Sequence, residues 1–293
     1  MKNTIDQEKC KKCKLCIAVC PVHIIGLDDN GQVHFLPERE HICLECGQCM
    51  AICSTEAVKV GNYTYEENFF PLPDNTVHYE ELYNFFAHRR SVRNFTDRPV
   101  EQELIGKILD TLHFAPYGAE PNKVEITVIN NRQLIETTLP FIEEFLDNIV
   151  KWVENPIASF MIKRKKGAEL FNTLKNHLYP MAKLENYTLK YGDRITRNAP
   201  AILVFHAPKD AEEHTNNSLI YATFAMFAAQ SLGLGATFIG IVPAAINKVK
   251  KVREIFQIPD DHEAMTSIIL GYPQYHYRKA IRRENKTIHW VAN

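Results

Sequence analysis

Eight cysteines, all within the first 53 residues of a 293-residue chain, constrain this protein more than any other feature of its sequence. They form two groups with the same internal spacing, Cys10, Cys13, Cys16 and Cys20, then Cys43, Cys46, Cys49 and Cys53. The second group repeats the first at an offset of 33 residues (43 less 10), and apolar residues repeat with it: Ile17 and Val19 match Met50 and Ile52, and Ile25 matches Val58. A period of that size marks a duplicated supersecondary unit. Disulfides fit poorly, because the opening residues give no route to an oxidising compartment and the large remainder holds no cysteine. Zinc fits poorly too, since its sites set paired cysteines far apart, whereas here four crowd together, twice.

Each group reads C-x2-C-x2-C-x3-C, the bacterial ferredoxin run, in which three thiolates hold one [4Fe–4S] cubane and the fourth reaches the other cluster. By that rule Cys10, Cys13, Cys16 and Cys53 ligate one cluster, and Cys43, Cys46, Cys49 and Cys20 its partner. A short turn sets three sulfurs around one face of the cubane, and the fourth is expected to begin a helical turn aimed across the domain. Pro21 follows Cys20 as the motif requires, but Ser54 stands where a second proline is usual. A hairpin turning at Asp28-Asp29-Asn30-Gly31 is expected between the halves, and Ala57-Val58-Lys59-Val60 reads as the closing strand of a domain over residues 1–61.

The remaining composition is ordinary: 45% hydrophobic, 24% charged and a net charge of −1. It gives no basic footprint for nucleic acid. With no apolar stretch before Cys10, neither a secretory signal nor an anchor is expected, and the chain reads as cytoplasmic. The uncharged run from Ser218 to Asn247 is punctuated by Gly233, Gly235 and Pro243, so it reads as a buried helix, a glycine turn and a buried strand rather than a membrane span. Residues 62–78, rich in Pro, Asn and acidic groups, read as a linker. A second domain over residues 79–293 should open on a helix in which Leu82, Phe85 and Phe86 recur. The histidines show no paired metal spacing, and no Ser, His and acid set points to acyl transfer.

That helix runs into Arg89-Arg90-Ser91-Val92-Arg93-Asn94-Phe95. On extended backbone Arg89, Ser91 and Arg93 project to one side, and two guanidinium forks flanking a hydroxyl suit a phosphate dianion. Taken alone such a run is more often a solvated basic helix end complementing the macrodipole. Arg-Arg-Ser-x-Arg-x-Phe, however, resembles the opening signature of the FMN-dependent nitroreductase family. Four further segments match in order. Ala115-Pro116-Tyr117-Gly118-Ala119-Glu120-Pro121-Asn122 resembles the family's flavin loop, with a strand expected over Val124 to Ile129. Asn198 to Phe205 is similar to its central strand. Ala228 to Gly240 looks like its core helix and glycine turn, and Leu270-Gly271-Tyr272-Pro273 like its last strand.

With the cysteine motifs, the whole chain resembles a ferredoxin-fused member of that family. The resemblance implies an α+β protein, a small 2[4Fe–4S] ferredoxin-like domain followed by a three-layer domain whose central mixed sheet is flanked by helices. It implies FMN beside the two clusters. Arg89, Arg90, Ser91 and Arg93 would meet the phosphate and ribityl chain, and Pro116, Tyr117 and Gly118 the ring. Asn122 would contact it as well, the turn at Phe238, Ile239 and Gly240 would approach N5, and Arg283 would supply a second phosphate cation. The loop departs from the pattern at Glu120, Asn122 and Lys123, where Asn, Gln and Pro are usual, and Glu120 is given no flavin contact. No catalytic residue is assigned, although Tyr117 is a candidate proton donor. The implied assembly is a homodimer fed by a ferredoxin-type or other low-potential donor, reducing a nitroaromatic, quinone or enone. Two other readings stay open, an NAD(P)H-oxidising flavoenzyme that uses the clusters as electron exit, and a non-catalytic electron-transfer or redox-sensing protein.

Overall fold

The 33-residue repeat in the cysteines is also a repeat in the backbone. The computed structural model describes residues 3–74, 77–183, 192–282, 284 and 287–291. Lys12, Lys14 and His23 hold left-handed φ angles of 55°, 64° and 50°, and Glu45, Gly47 and Glu56, each 33 positions on, hold 48°, 71° and 53°. Each non-glycine residue in this region costs roughly 1–2 kcal/mol, so its recurrence in both halves marks the same tight turn built twice. Helix α1 (Leu15–Val19) starts after Lys14, and α2 (Gln48–Ala51) after Gly47. The third cysteine of each group therefore lies inside a helix. The fourth leaves at or beyond its C-terminal end, rather than beginning a helical turn, because the helix is already launched by the left-handed residue within the motif.

Strand β1 (Thr4–Ile5) and the later β4 (Val58–Lys59) pair antiparallel, and β2 (Ile25–Leu27) pairs with β3 (Val33–Phe35). The turn between β2 and β3 is the expected one, with Asp28 Oδ1 accepting from the Asn30 and Gln32 amides at 2.9 and 2.7 Å. Ile24, Ile25, Val33, Met50, Val58 and Val60 make the core. Part of the expected linker belongs to this unit: α3 (Tyr65–Asn68) follows Thr64, and Tyr63, Tyr65 and Phe69 pack on the core. Tyr65 donates its hydroxyl to the Met50 carbonyl at 3.3 Å. The first compact unit extends to Val77 and the second begins at His78.

The second unit is organised by a strand that is apolar at every turn of its pleat. Successive side chains of a strand face opposite ways, so a run such as Ala201-Ile202-Leu203-Val204-Phe205 needs cover on both faces. Helices supply it. They are α4 (Tyr79–His88), α5 (Gln102–Thr111), α6 (Arg132–Glu154), α7 (Pro156–Lys166), α8 (Ala168–Thr173), α9 (Tyr179–Ala182), α10 (His214–Ser231), α11 (Ile241–Ile246) and α12 (Lys250–Phe256), with a π-helical turn over Leu174–Leu178. The strands are β5 (Glu125–Ile129), β6 (Ala201–Pro208), β7 (Gly235–Phe238) and β8 (His262–Gly271), in the order β5-β6-β8-β7.

Ile202 and Val204 join Ile135, Ile142 and Ile149 of α6 in one core, while Leu203 and Phe205 join Ile108 of α5 and Ala222, Ala225 and Ala229 of α10 in the other. The result is three layers. The named strands pair antiparallel, and the parallel component is the bridge from Ser91 to Ala236. The uncharged run divides as expected into the end of α10, a left-handed Gly233 at φ 77° and the buried start of β7, followed by α11. Among the described residues no helix is long and apolar enough to cross a membrane.

Two features of this fold are open to mutation. Gly235 opens β7 where a Cβ would lie 2.6 Å from the Val92 side chain. That close approach seats the arginine run on the sheet, with Val92 N donating to Ala236 O at 3.2 Å. Gly235→Ala should cost about 1–3 kcal/mol by overpacking. In a double-mutant cycle with Val92→Ala, measured by denaturant unfolding, the combined loss should fall short of the sum of the singles, and strict additivity would refute the contact. In the cluster domain Lys14→Gly, which copies Gly47, should stabilise by roughly 1 kcal/mol, read from thermal loss of cluster absorption, since it removes left-handed strain.

Candidate redox centres

The eight thiols converge as two mixed sets. Cys16, pushed up by burial, is also raised by the charges of Cys10, Cys53 and Cys13. Burial pushes Cys49 up to about 12, with Cys46, Cys43 and Cys20 adding to it. Each set thus draws three members from one motif and one from the other. Cys20, Cys43, Cys46 and Cys49 line a single hollow walled by Ile24, Phe35 and Val60. Amides reach the crossing sulfurs at equivalent places, Ile24 N to Cys20 Sγ at 3.5 Å and Ala57 N to Cys53 Sγ at 3.3 Å. At Cys53, desolvation is the largest single influence, yet the Ala57 and Thr55 amides and the Thr55 hydroxyl outweigh it and lower the pKa. Thiolates so desolvated and crowded need a bound cation, and a four-thiolate donor set around an apolar hollow suits iron–sulfur ligation.

In the second unit a cavity of about 1490 Å³ brings together Arg93, Phe238, Ile239 and Gly240 of the expected site. Its floor is the end of β7, where Ile239 N donates to Ser267 O at 3.0 Å and Ser267 Oγ returns a bond to Ile239 O at 2.7 Å. Beyond Gly240 the space is open, since a built Cβ would meet nothing within 4 Å. The apolar wall comes from α6 to the π-helical turn, including Ile149, Trp152, Met161 and Leu174. Arg194, Arg197 and Lys248 also line it, and sequence reasoning missed all three. Arg194 and Arg197 stand on the loop folded around Asp193, whose carboxylate accepts from the Ile195, Thr196 and Asn198 amides at 2.9, 2.8 and 3.1 Å and pairs with Arg132 at 3.0 Å. The local sequence signal, Asp193-x-x-Thr196, is a turn motif rather than a ligand motif.

Other expected residues lie elsewhere. Ser91 is held in its bridge to Ala236. Arg90 turns back on the main chain, donating to Ala87 O at 3.0 Å and to the Arg89 and Lys279 carbonyls at 2.5 Å, with its guanidinium 5.8 Å from the Tyr277 ring centre. It thereby ties the arginine run to the C-terminal segment. Arg89 does not line the cavity, and Arg283 lies outside the described residues. Pro116, Tyr117, Gly118 and Asn122 are exposed and line no part of the cavity. Their loop is anchored at the start of α10, where Gly118 N donates to Asn217 Oδ1 and Asn217 Nδ2 to Ala119 O, both at 2.8 Å. Glu120 is turned onto Lys123 at 2.7 Å and accepts from the Glu212 amide at 2.9 Å. The Lys123 ammonium holds its carboxyl below the usual range, so two departures from the family pattern form one ion pair.

Comparison with known proteins places both units. The model of the nitroreductase family matches residues 86–272, and that of the 4Fe-4S dicluster domain matches residues 9–66. A protein of Methanothermobacter thermautotrophicus, provisionally named NADH dehydrogenase/NAD(P)H nitroreductase, is 27% identical over 185 residues, 63% of this chain and 73% of that protein. An uncharacterized ferredoxin of Methanocaldococcus jannaschii is 36% identical over 62 residues, 20% of this chain and 95% of that protein. Among solved structures, a Bacteroides fragilis nitroreductase with bound FMN superposes with a TM-score of 0.53 at 18% identity, covering 72% of this chain and 99% of its own, which shows the shared fold. With the arginine run seated on the sheet and two thiol quartets ahead of it, the chain belongs to the nitroreductase family and carries a 4Fe-4S dicluster domain at its N-terminal end.

Proposed function

We propose that this protein is an FMN-dependent oxidoreductase that takes electrons from a ferredoxin-type or other low-potential donor at its iron–sulfur clusters and delivers them to a small electrophilic acceptor, such as a nitroaromatic, quinone or enone. The observation that carries this reading is the convergence of Arg93 with the Phe238-Ile239-Gly240 turn on one large cavity, in a chain that also gathers two thiol quartets. FMN, when bound, accepts electrons singly and passes them on as a pair, which a one-electron cluster cannot do. Arg93 would hold the phosphate, with Arg194, Arg197 and Lys248 adding positive charge at the cavity wall, and the open space before Gly240 would admit the ring edge. Trp152, Ile149 and Leu174 would exclude water from the acceptor.

A second copy of the chain completes the site in this reading. The 116–122 loop is exposed away from the cavity of its own chain, and α4 leaves Tyr79, Leu82, Tyr83 and Phe86 exposed along an apolar face. A homodimer would cover that face and supply the loop, Tyr117 included, to the partner's cofactor. The name of the Methanothermobacter relative favours NAD(P)H as an alternative donor, with the clusters as electron exit.

Anaerobically purified protein should contain iron, sulfide and flavin in a ratio of eight to eight to one per chain. Reduced ferredoxin should bleach the flavin and support acceptor turnover, and Cys16→Ala, which removes a cluster ligand, should abolish that route while leaving flavin bound. Flavin bleaching by NAD(P)H alone at the same rate would displace the ferredoxin reading, and protein without flavin would end it. Arg93→Ala should weaken FMN retention by roughly ten- to a hundredfold, the loss of a charge-assisted hydrogen bond, with cluster content unchanged. Equal retention would remove Arg93 from the phosphate site.

A further inference from the structure

The sheet of the second unit gathers two histidines and a carboxylate that the redox reading does not use. Glu125 lies on β5, His206 on β6 and His262 on β8, three strands that are neighbours in the sheet. Glu125 and His206 are register partners, and His262 stands opposite Pro208, two residues further along β6. Their ligand atoms all lie within 4.8 Å of one another. The two imidazoles approach most closely through Nδ1, at 2.9 Å, and are 2% and 6% exposed, whereas Glu125 is exposed and free to swing. None of the three lines the cofactor cavity.

The hydrogen bonding is compatible with ligation by both rings. His206 Nε2 lies 3.1 Å from Thr127 Oγ1. When that nitrogen carries the proton and donates to the hydroxyl, Nδ1 is left as a lone pair facing His262, the arrangement a metal-bound imidazole takes with its outer partner. Arg253 is the nearby cation, and its guanidinium is engaged with the Pro259 and His262 carbonyls at 2.5 and 3.1 Å and with Asn247 Oδ1 at 3.3 Å. Glu125 supplies the compensating negative charge.

We propose that Glu125, His206 and His262 bind a divalent transition-metal ion, with zinc as the preferred occupant. The ion takes the place of the single proton that the two Nδ1 atoms share, and that proton moves to Nε2 of His262, so both rings ligate as neutral imidazoles. Zinc held at about 2.0–2.1 Å by nitrogen and oxygen sets tetrahedral ligands about 3.3 Å apart, so the imidazoles need to open by only a few tenths of an ångström. Two imidazoles and one carboxylate leave a fourth position for water, a donor set that selects zinc over calcium or magnesium. The site ties β5, β6 and β8 together beside the bulge between Phe205 and His206, where the strand ladder shifts register.

The test uses full-length, cluster-loaded protein, dialysed anaerobically against chelator and titrated with zinc sulfate. One zinc ion per chain should be retained, with a first shell of nitrogen and oxygen at about 2.0 Å by X-ray absorption, and the thermal midpoint of the second unit should rise with zinc concentration. Glu125→Gln, at an exposed position, should weaken binding at least tenfold. His262→Gln should abolish it, with iron content unchanged in both variants. Absence of retained zinc overturns the proposal, as does a sulfur shell at about 2.3 Å, which would place the zinc on the cysteines. Should His262→Gln fail to fold, Glu125→Gln decides, and unchanged affinity in that variant overturns the site.

Discussion

Burial of strand β6 on both faces is the constraint from which the larger unit follows. Seven of its eight residues are buried, and the first five, Ala201 to Phe205, alternate between two separate apolar cores. One face is covered by α5 and α10. The other is covered by α6, α11 and α12, and where their cover ends beyond β7 the large cavity opens. The arginine run reaches that cavity because β7 begins with a residue lacking a side chain. Val92 takes the vacated space and buries its own side chain, which fixes Arg93 on the cavity side of the sheet edge.

The cluster domain obeys a different balance. A unit of under eighty residues buries too little apolar surface to be robust alone, and this one also holds several residues in left-handed conformations and several thiols in desolvated positions. Neither cost is recovered by the polypeptide itself. Ionised thiolates bound to iron recover both, so ligation free energy is folding free energy here. The same economy explains why the two halves are wound alike, since equivalent cubanes demand equivalent turns.

Legibility in the sequence tracked how local each determinant was. The cysteine quartets sit within eleven residues each, and their spacing anticipated the two mixed sets of thiols, with Cys53 beside Cys16 and Cys20 beside Cys49. Strand β6, the glycine turn and the hairpin at residues 28–31 were readable because pleat and turn chemistry are short-range. The split between cluster domain and linker was less so, because Tyr63, Tyr65 and Phe69 look like connector residues until the core they cover is known. Arg194 and Arg197 escaped because they reach the cavity through a loop organised by Asp193 and Arg132, 61 positions apart. His206 and His262 are 56 positions apart and show no paired spacing, yet strand register places them ring to ring.

The 115–123 loop shows how a departure from pattern can be physically consistent. A carboxylate at position 120 would oppose an electron-rich ring if it pointed outward unpaired. Here Glu120 adopts a left-handed φ of 49° and is spent on Lys123 and the Glu212 amide, with its charge held rather than neutralised by a proton. Lys123 replaces the proline usual in the family, and only with that replacement does the glutamate acquire a partner three residues on. The loop therefore presents no unpaired charge at this point. Read singly, each substitution adds a charge to the loop; read together, they preserve its neutrality.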